Sequence, residues 1–258
     1  SATTAANGVY TVTVNNGTGT GCTASYTTSA TVSPMPSITS ATNSGPICAG
    51  TTLALGVSGA SSVTGYVWSG PVAITSSTSA SASVPSATTA ANGVYTVTVN
   101  NGTGTGCTAT YTTSATVSPM PSLTSATNSG PICAGTTLAL GVTGASNVTG
   151  YLWNGPVAIT SSTSASASVP SATTAANGVY TVTVNNGTGT GCTATYTTSA
   201  TVSPMPSLTS ATNSGPICAG TTLALGVTGA SNVTGYLWNG PVAITSSTSP
   251  SASVPSAT

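Results

Sequence analysis

The chain has 258 residues, and none of them is Asp, Glu, Lys, Arg or His. Because about a quarter of an average soluble chain is charged, this composition is a property of the protein and not a sampling effect. Acid–base catalysis, carboxylate or imidazole metal sites and basic nucleic-acid-binding surfaces all require the missing side chains. We therefore expect that the protein is not an enzyme and that it has no cofactor, no metal site and no nucleic-acid partner.

The first predicted element is a β-hairpin at residues 7–22, whose sequence is NGVYTVTVNNGTGTGC. Valine and tyrosine alternate with threonine there, which is the pattern of a half-buried strand, and Asn-Gly is a hairpin-turn signal. The same stretch returns at 92–107 and 177–192, so the chain consists of three repeats of an 85-residue unit followed by Ser-Ala-Thr. This period is longer than the roughly 20–50 residues of solenoid repeats and suits a small domain.

Between successive hairpins the sequence predicts further short strands, which contain TTLALGV and GYVWSG. A strand TATYTTSATV follows each hairpin turn. All these stretches recur with conservative changes between repeats. The alternation places Leu53, Leu55 and Val57 on one face of the first of these strands. Clusters of Gly, Pro, Asn and Ser separate the strands and indicate turns, and no stretch has helical periodicity. About seven short strands per unit predict an all-β protein of tandem immunoglobulin-like β-sandwiches, with a fibronectin-like or other Greek-key sandwich as the alternative.

The spacing of apolar residues within one unit fits an immunoglobulin-like core. Leu55, Trp68 and Val97 stand where a strand-B residue, the strand-C tryptophan and a strand-F residue belong. Tyr95, two residues before Val97, stands at the position of a tyrosine corner. We predict that these core markers are buried; across the repeats they are Trp68, Trp153, Trp238, Tyr95 and Tyr180.

Five motifs follow one another in a fixed order: GP-x-C-x-G-x-x-L-x-L, Y-x-W-x-G-P, G-x-Y-T-V-T-V, G-C-T and V-x-P-x-P. In the first full repeat they occupy residues 45–55, 66–71, 93–99, 106–108 and 117–121. The set resembles the immunoglobulin-like repeats of large cell-surface adhesins and gliding-motility proteins of Bacteroidota. That resemblance implies export to the cell surface, commonly by the type IX secretion route. The loss of all charge departs from the family pattern and favours a stalk or fibre over a ligand-binding tip.

The segment Ser-Pro-Met-Pro-Ser recurs at 33–37, 118–122 and 203–207. Two prolines predict a stiff, extended joint between domains, and an edge-strand proline pair inside one domain is the alternative. The predicted organisation is a partial immunoglobulin-like domain over 1–33 with the F–G hairpin, complete domains over 34–118 and 119–203, and a partial domain over 204–258 with strands A to E.

Two cysteines per unit in a chain of this kind predict disulfides, with free buried thiols as the alternative. Cys48 is able to pair with Cys107 inside one domain or with Cys192 of the next. The first pairing is disfavoured because strand direction puts its two cysteines at opposite ends of a sandwich, but both stay open. We expect no free thiol in the folded assembly; the disulfide candidates are Cys22, Cys48, Cys107, Cys133, Cys192 and Cys218.

A neutral surface of Ser, Thr, Asn, Gly and Ala lacks the long-range repulsion that keeps copies of a protein apart. No apolar run reaches the roughly 18 residues of a membrane-spanning segment. These features predict a structural repeat array of an extracellular bacterial filament or surface stalk, with copies of itself as head-to-tail partners and no membrane insertion. The alternative is an adhesin that contacts glycans or surfaces, for which Tyr111 is the expected aromatic platform of its repeat.

Residues 1–33 and 204–258 contain complementary parts of one domain. Each part alone predicts a sandwich with bare strand edges. In one interpretation the hairpin of one copy completes the last domain of another by strand complementation. In the other interpretation the chain is a window of a longer polypeptide. This second interpretation is favoured because the parts at the two ends together match one repeat period.

Overall fold

The computed structural model of the chain describes residues 1–17, 21–102, 106–187 and 191–256. The described residues form β-strands and short 3-10 helices and contain no α-helix, so the all-β prediction is confirmed. The 3-10 helices are Thr4–Ala6, Thr89–Ala91 and Thr174–Ala176. The predicted hairpin turns lie partly outside the described residues.

The strands of the first hairpin and of the first complete repeat are β1 Gly8–Asn15, β2 Thr23–Ala30, β3 Ser40–Asn43, β4 Ile47–Cys48, β5 Leu53–Ser58, β6 Gly65–Ser69, β7 Ser81–Val84, β8 Gly93–Asn100, β9 Thr108–Ala115 and β10 Val117–Ser118. The strands of the second complete repeat are β11 Ser125–Asn128, β12 Ile132–Cys133, β13 Leu138–Thr143, β14 Gly150–Asn154, β15 Ala167–Val169, β16 Gly178–Asn185, β17 Thr193–Ala200 and β18 Val202–Ser203. The last repeat contributes β19 Ser210–Asn213, β20 Leu223–Thr228 and β21 Ser251–Val254.

Each complete repeat consists of two three-stranded sheets. In the first repeat the sheets are β3–β5–β7 and β6–β8–β9, and the second repeat has the same order in β11–β13–β15 and β14–β16–β17. The final strand pairs in parallel with the short entry strand, β10 with β4 and β18 with β12. These are the A–B–E and C–F–G sheets of an immunoglobulin-like sandwich, so the chain is a series of tandem immunoglobulin-like domains.

The core of the first complete repeat is one apolar cluster made by both sheets. Leu53 of β5, Trp68 of β6 and Val97 of β8 belong to it. Trp68 lies directly opposite Val97 in the β6–β8 pairing. Along β8, alternate residues are fully buried while Val94 on the other face is exposed. Because a shift by one residue would expose the buried set, this alternation fixes the strand register.

The Ser-Pro-Met-Pro-Ser segment packs against its repeat instead of forming an open spacer. Pro36 is fully buried. The side-chain amide of Asn101 donates a 2.8 Å hydrogen bond to the carbonyl oxygen of Pro34. Asn186 donates the corresponding bond to Pro119, also at 2.8 Å. The segment is therefore held to the base of a hairpin turn.

By its internal contacts the chain divides into two compact units. The first comprises Ser1–Pro121, Asn147–Thr149 and Asn185–Ala194, and the second comprises Ser122–Ser146, Gly150–Val184 and Thr195–Thr258.

The last repeat forms one sheet, β19–β20–β21, within its described residues. This sheet has the strand register of β3–β5–β7. Residues 235–239, the counterpart of β6, do not form a strand. In a complete repeat that strand is hydrogen-bonded to the F strand, as β6 is to β8.

Candidate interaction site: an open sandwich and an uncovered hairpin

Among the described residues, no three His, Cys, Asp or Glu side chains lie close enough to hold a metal ion. No helix in that part of the chain is both long and apolar enough to cross a membrane. Two apolar surfaces stand out instead. Each surface is exposed, whereas the corresponding surface of a complete repeat is buried in the core of that repeat.

The first surface is one face of the hairpin β1–β2, which we call the amino-terminal hairpin. Tyr10, Val12 and Val14 are 50%, 57% and 52% exposed. Their counterparts in β8, one repeat later, are all 0% exposed because they pack into the core. The amino-terminal hairpin therefore presents the inner face of a sandwich sheet to solvent.

This hairpin has the strand pairing of the F–G hairpin in a complete repeat, although its inner face is exposed. Its two strands pair from Gly8 with Ala30 to Asn15 with Thr23, which is the register of β8 with β9. The Tyr10 hydroxyl donates a 2.7 Å hydrogen bond to the carbonyl oxygen of Ala6. The hairpin is thus held by its own backbone pairing and by its own tyrosine corner.

The second surface is the inner face of the last repeat, which we call the open groove. It contains two cavities of about 490 Å³ and 360 Å³, and Trp238 lines both of them. The residues that give the groove its apolar character are Leu208, Val227, Leu223, Leu225, Ile244 and Val254.

Trp238 departs from the prediction that all three tryptophans are buried. Trp68 and Trp153 are 4% and 2% exposed, whereas Trp238 is half-buried. All three indole Nε1 atoms donate to a backbone carbonyl eleven residues later, in Trp238 to Ser249 at 2.9 Å. The Trp238 ring therefore keeps its anchor, and it is less buried than the Trp68 ring, which lies opposite Val97 of the F strand.

Tyr95 and Tyr180 form the predicted tyrosine corners of the complete repeats. Each hydroxyl donates a 2.9 Å hydrogen bond to a carbonyl oxygen four residues earlier, that of Ala91 or Ala176. Burial raises the pKa of both phenols above the ordinary tyrosine value, because the buried site disfavours the phenolate. The corner fixes the start of the F strand and thereby the hairpin that follows it.

Stability should be constant from acidic to neutral pH and fall only in alkali. No carboxylate or imidazole side chain is present to drive unfolding in acid. The raised pKa of Tyr95 and Tyr180 means that their stabilising contribution is complete below about pH 10, where unfolded tyrosine is neutral, and is lost as the pH rises through the folded pKa. Thermal melts across the pH range test this, with the Tyr95→Phe, Tyr180→Phe double variant expected to show a smaller alkaline loss. A transition in acid would contradict the prediction.

Cys48 and Cys192 form a disulfide, so of the two pairings left open by the sequence the structure has the one to the next repeat. Their Cα atoms are 5.7 Å apart, within the usual range for a disulfide. Both residues belong to the first compact unit, because the hairpin turn that carries Cys192 is part of that unit. Cys48 lies at the end of β4 and Cys192 is buried.

The other disulfide candidates occupy the same two places in their repeats. Cys133 is the last residue of β12, as Cys48 is of β4. Cys218 occupies the same position in the last repeat. Both carry exposed thiols in the described part of the chain. Cys22 and Cys107 are the counterparts of Cys192 beside the hairpin turns, the first exposed and the second half-buried.

No family model matches this chain, and no curated protein matches it. Among solved structures it is similar to a marsupial T cell receptor, at 14% identity with a TM-score of 0.45, over 84% of this chain and 92% of that one. It is also similar to the N-terminal eight immunoglobulin domains of the Down syndrome cell adhesion molecule, at 15% identity and a TM-score of 0.40, over 100% and 43% of the two chains. The insect immune protein hemolin gives 15% identity and a TM-score of 0.37 over 65% and 46%.

The sequence analysis did not single out Gly70 and Gly155, which lie against the tyrosine corners of the complete repeats. A Cβ atom added at either would lie 2.3 Å from the ring of Tyr95 or Tyr180. The Trp-x-Gly-Pro motif contains both glycines, but only the fold shows that the tyrosine ring lies against them.

Proposed function

We propose that this protein is a structural repeat array of an extracellular bacterial filament or surface stalk, which continues head to tail through further copies of the same repeat. The observation that carries the proposal is that one immunoglobulin-like sandwich recurs along the chain. Both complete repeats have the same strand order, and the last repeat has the same A–B–E sheet.

Two further features support a structural role outside the cell. A disulfide links Cys48 to Cys192, and disulfides persist mainly in oxidising compartments. The chain also has no Lys or Arg, so proteases that require a basic residue have no site to cleave. A neutral surface adds no repulsion between neighbouring arrays.

The adhesin alternative expected Tyr111 to serve as an exposed aromatic platform. In the structure Tyr111 is half-buried and packs against the core of its repeat. Tyr196 is half-buried in the same way. Since glycan sites need an aromatic face open to solvent, the complete repeats favour the structural role.

Immunogold electron microscopy of intact source cells tests the proposal. Antibodies raised against the purified chain should decorate thin, regularly beaded appendages at the cell surface. Serum absorbed with the purified chain is the control and should give no decoration. Label confined to the cell interior, or to globular particles without a fibre, would contradict the proposed function.

A further inference from the structure

We propose that this protein bears tension through two linked devices. One is a mechanical clamp in each complete repeat, made where the first part of the repeat pairs with its last strand. The other is the disulfide between Cys48 and Cys192, which carries tension around the clamp of the first complete repeat. The proposal deepens the structural role proposed above and rests on it.

The clamp of the first complete repeat consists of β4 and β10, which pair in parallel. The Ile47 N–H donates a 3.0 Å hydrogen bond to the carbonyl oxygen of Thr116. The Ala49 N–H donates a 2.8 Å hydrogen bond to the carbonyl oxygen of Ser118. In the second complete repeat, β12 and β18 make the corresponding two bonds at the same distances. The clamp is therefore a property of the repeat.

An asparagine side chain adds further bonds to the same pairing. The Asn43 side-chain amide donates hydrogen bonds to the Thr113 hydroxyl at 2.7 Å and to the Ser114 carbonyl oxygen at 2.9 Å. Its own carbonyl oxygen accepts a 2.7 Å hydrogen bond from the Gly45 N–H, which holds the amide in this orientation. Asn128 makes the same set of bonds in the second complete repeat. Side-chain and backbone bonds thus act together to hold residues 43–49 to residues 113–118.

The direction of the strands decides how these bonds respond to tension. Tension on a repeat draws β4 toward the amino-terminal end of the chain and β10 toward the carboxyl-terminal end. Because the two strands run parallel, these opposite pulls slide the strands along each other. Bonds that connect sliding strands are loaded together, whereas antiparallel end strands pulled from one side open one bond at a time. The clamp is therefore loaded in its resistant direction.

The disulfide begins within the clamp. Cys48 is the last residue of β4 and lies opposite Ser118 of β10. Its partner Cys192 is 144 positions further along the chain. Tension that reaches Cys48 from the amino-terminal side passes through the disulfide to Cys192, so the chain between them is not stretched. That chain includes β10, and the clamp of the first complete repeat is therefore not sheared while the disulfide is intact.

Optical tweezers test the covalent path on single molecules of the full chain, held by DNA handles on short tags at the two termini. The 144 positions between the bonded cysteines correspond to about 50 nm of extended chain, at roughly 3.5 Å per residue. The fully stretched oxidised parent chain should therefore be about 50 nm shorter than fully stretched Cys192→Ser. Equal stretched lengths would overturn the covalent path.

Ala49→Pro tests the clamp, because proline has no N–H to donate to Ser118. Ala49 is the second residue of a turn in which the Thr51 N–H donates a 3.1 Å hydrogen bond to the Cys48 carbonyl oxygen. The third residue of this turn, Gly50, has a φ of 90°. Such a φ is typical of a type II turn, where proline is favoured at the second position. The substitution therefore removes a clamp bond and suits the local backbone.

In Cys192→Ser the two complete repeats should unfold in separate steps of about 30 nm, the extended length of 85 residues. Adding Ala49→Pro should lower the force of one step by about a quarter or more, because the remaining bonds share the load, and leave the other step unchanged. In the oxidised parent chain the same substitution should leave the unfolding forces unchanged. Unchanged forces in Cys192→Ser, or a lowered force in the oxidised chain, would overturn the clamp and its protection by the disulfide.

Val84→Ala is the matched control for a general loss of stability. Val84 is buried in the core and belongs to β7, whose partner is β5. In urea it should destabilise the repeat at least as much as Ala49→Pro, since it leaves a cavity where Ala49→Pro removes one hydrogen bond. In Cys192→Ser it should nevertheless lower the unfolding force less than Ala49→Pro does. The reverse order would show that the force follows overall stability instead of the clamp.

Near-ultraviolet circular dichroism shows whether Cys192→Ser and Ala49→Pro keep the fold. If Cys192→Ser does not, a dithiol reduces the bond in a parent molecule that is already folded and tethered. The dithiol supplies two electrons and two protons, becomes a cyclic disulfide and leaves two thiols on the chain. If Ala49→Pro does not fold, Asn43→Asp is the second clamp variant. Its carboxylate still accepts from the Gly45 N–H but has no proton to donate to Ser114.

Failure of the tension-bearing proposal and failure of the proposed function give different results. Labelled surface fibres, together with equal stretched lengths of the parent chain and Cys192→Ser, would refute the covalent path and leave the proposed function standing. The expected lengths and forces without any surface label would refute the proposed function and leave the clamp and the covalent path as properties of the chain.

Discussion

Replacing Cys192 by serine is expected to lower the free energy of unfolding of the first compact unit by about 5 kcal/mol. The disulfide joins residues separated by 144 positions, and the entropy lost from an unfolded chain with a closed loop of that length corresponds to a stabilisation of about this size.

Urea unfolding followed by tryptophan fluorescence measures this loss, at concentrations where the chain is monomeric. Cys218→Ser is the control, because Cys218 is exposed and bears a thiol, and its unfolding midpoint should match that of the parent chain. Reduction of the parent chain should reproduce the loss. Equal midpoints for the two serine variants would mean that the Cys48–Cys192 bond is absent in solution.

Trp153→Ala is expected to cost about 3–5 kcal/mol, and Trp238→Ala much less. The Trp153 ring is 2% exposed, so its removal leaves a large cavity in a closed core. The Trp238 ring is half-buried beside two existing cavities, so its removal enlarges a space that is already open. The same substitution in almost identical repeats thus measures the contribution of the covering hairpin.

Thermal or urea unfolding of the two variants gives the difference directly. Equal costs would show that Trp238 is as fully covered in solution as Trp153.

The sequence was sufficient to predict the strands and the sandwich. Tyr95, Val97 and Val99 are two residues apart, and residues two apart in a strand lie on the same face of the sheet. Their alternation with threonine therefore predicts that one face of this strand is buried. The tyrosine corner and the burial of Trp68 follow from the same spacing. These features are local or depend on a pattern that recurs three times, so they can be read without coordinates.

Only the tertiary structure decided which cysteines pair and which core stays open. Cys48 has acceptable partners at two distances along the chain, and the choice of Cys192 depends on where a hairpin turn lies in space. Trp238 has the same neighbours in sequence as Trp153, and its degree of burial depends on whether an F strand packs against it. Local sequence determines how each strand and turn forms, but burial and disulfide pairing depend on whether a distant segment arrives to complete the contact.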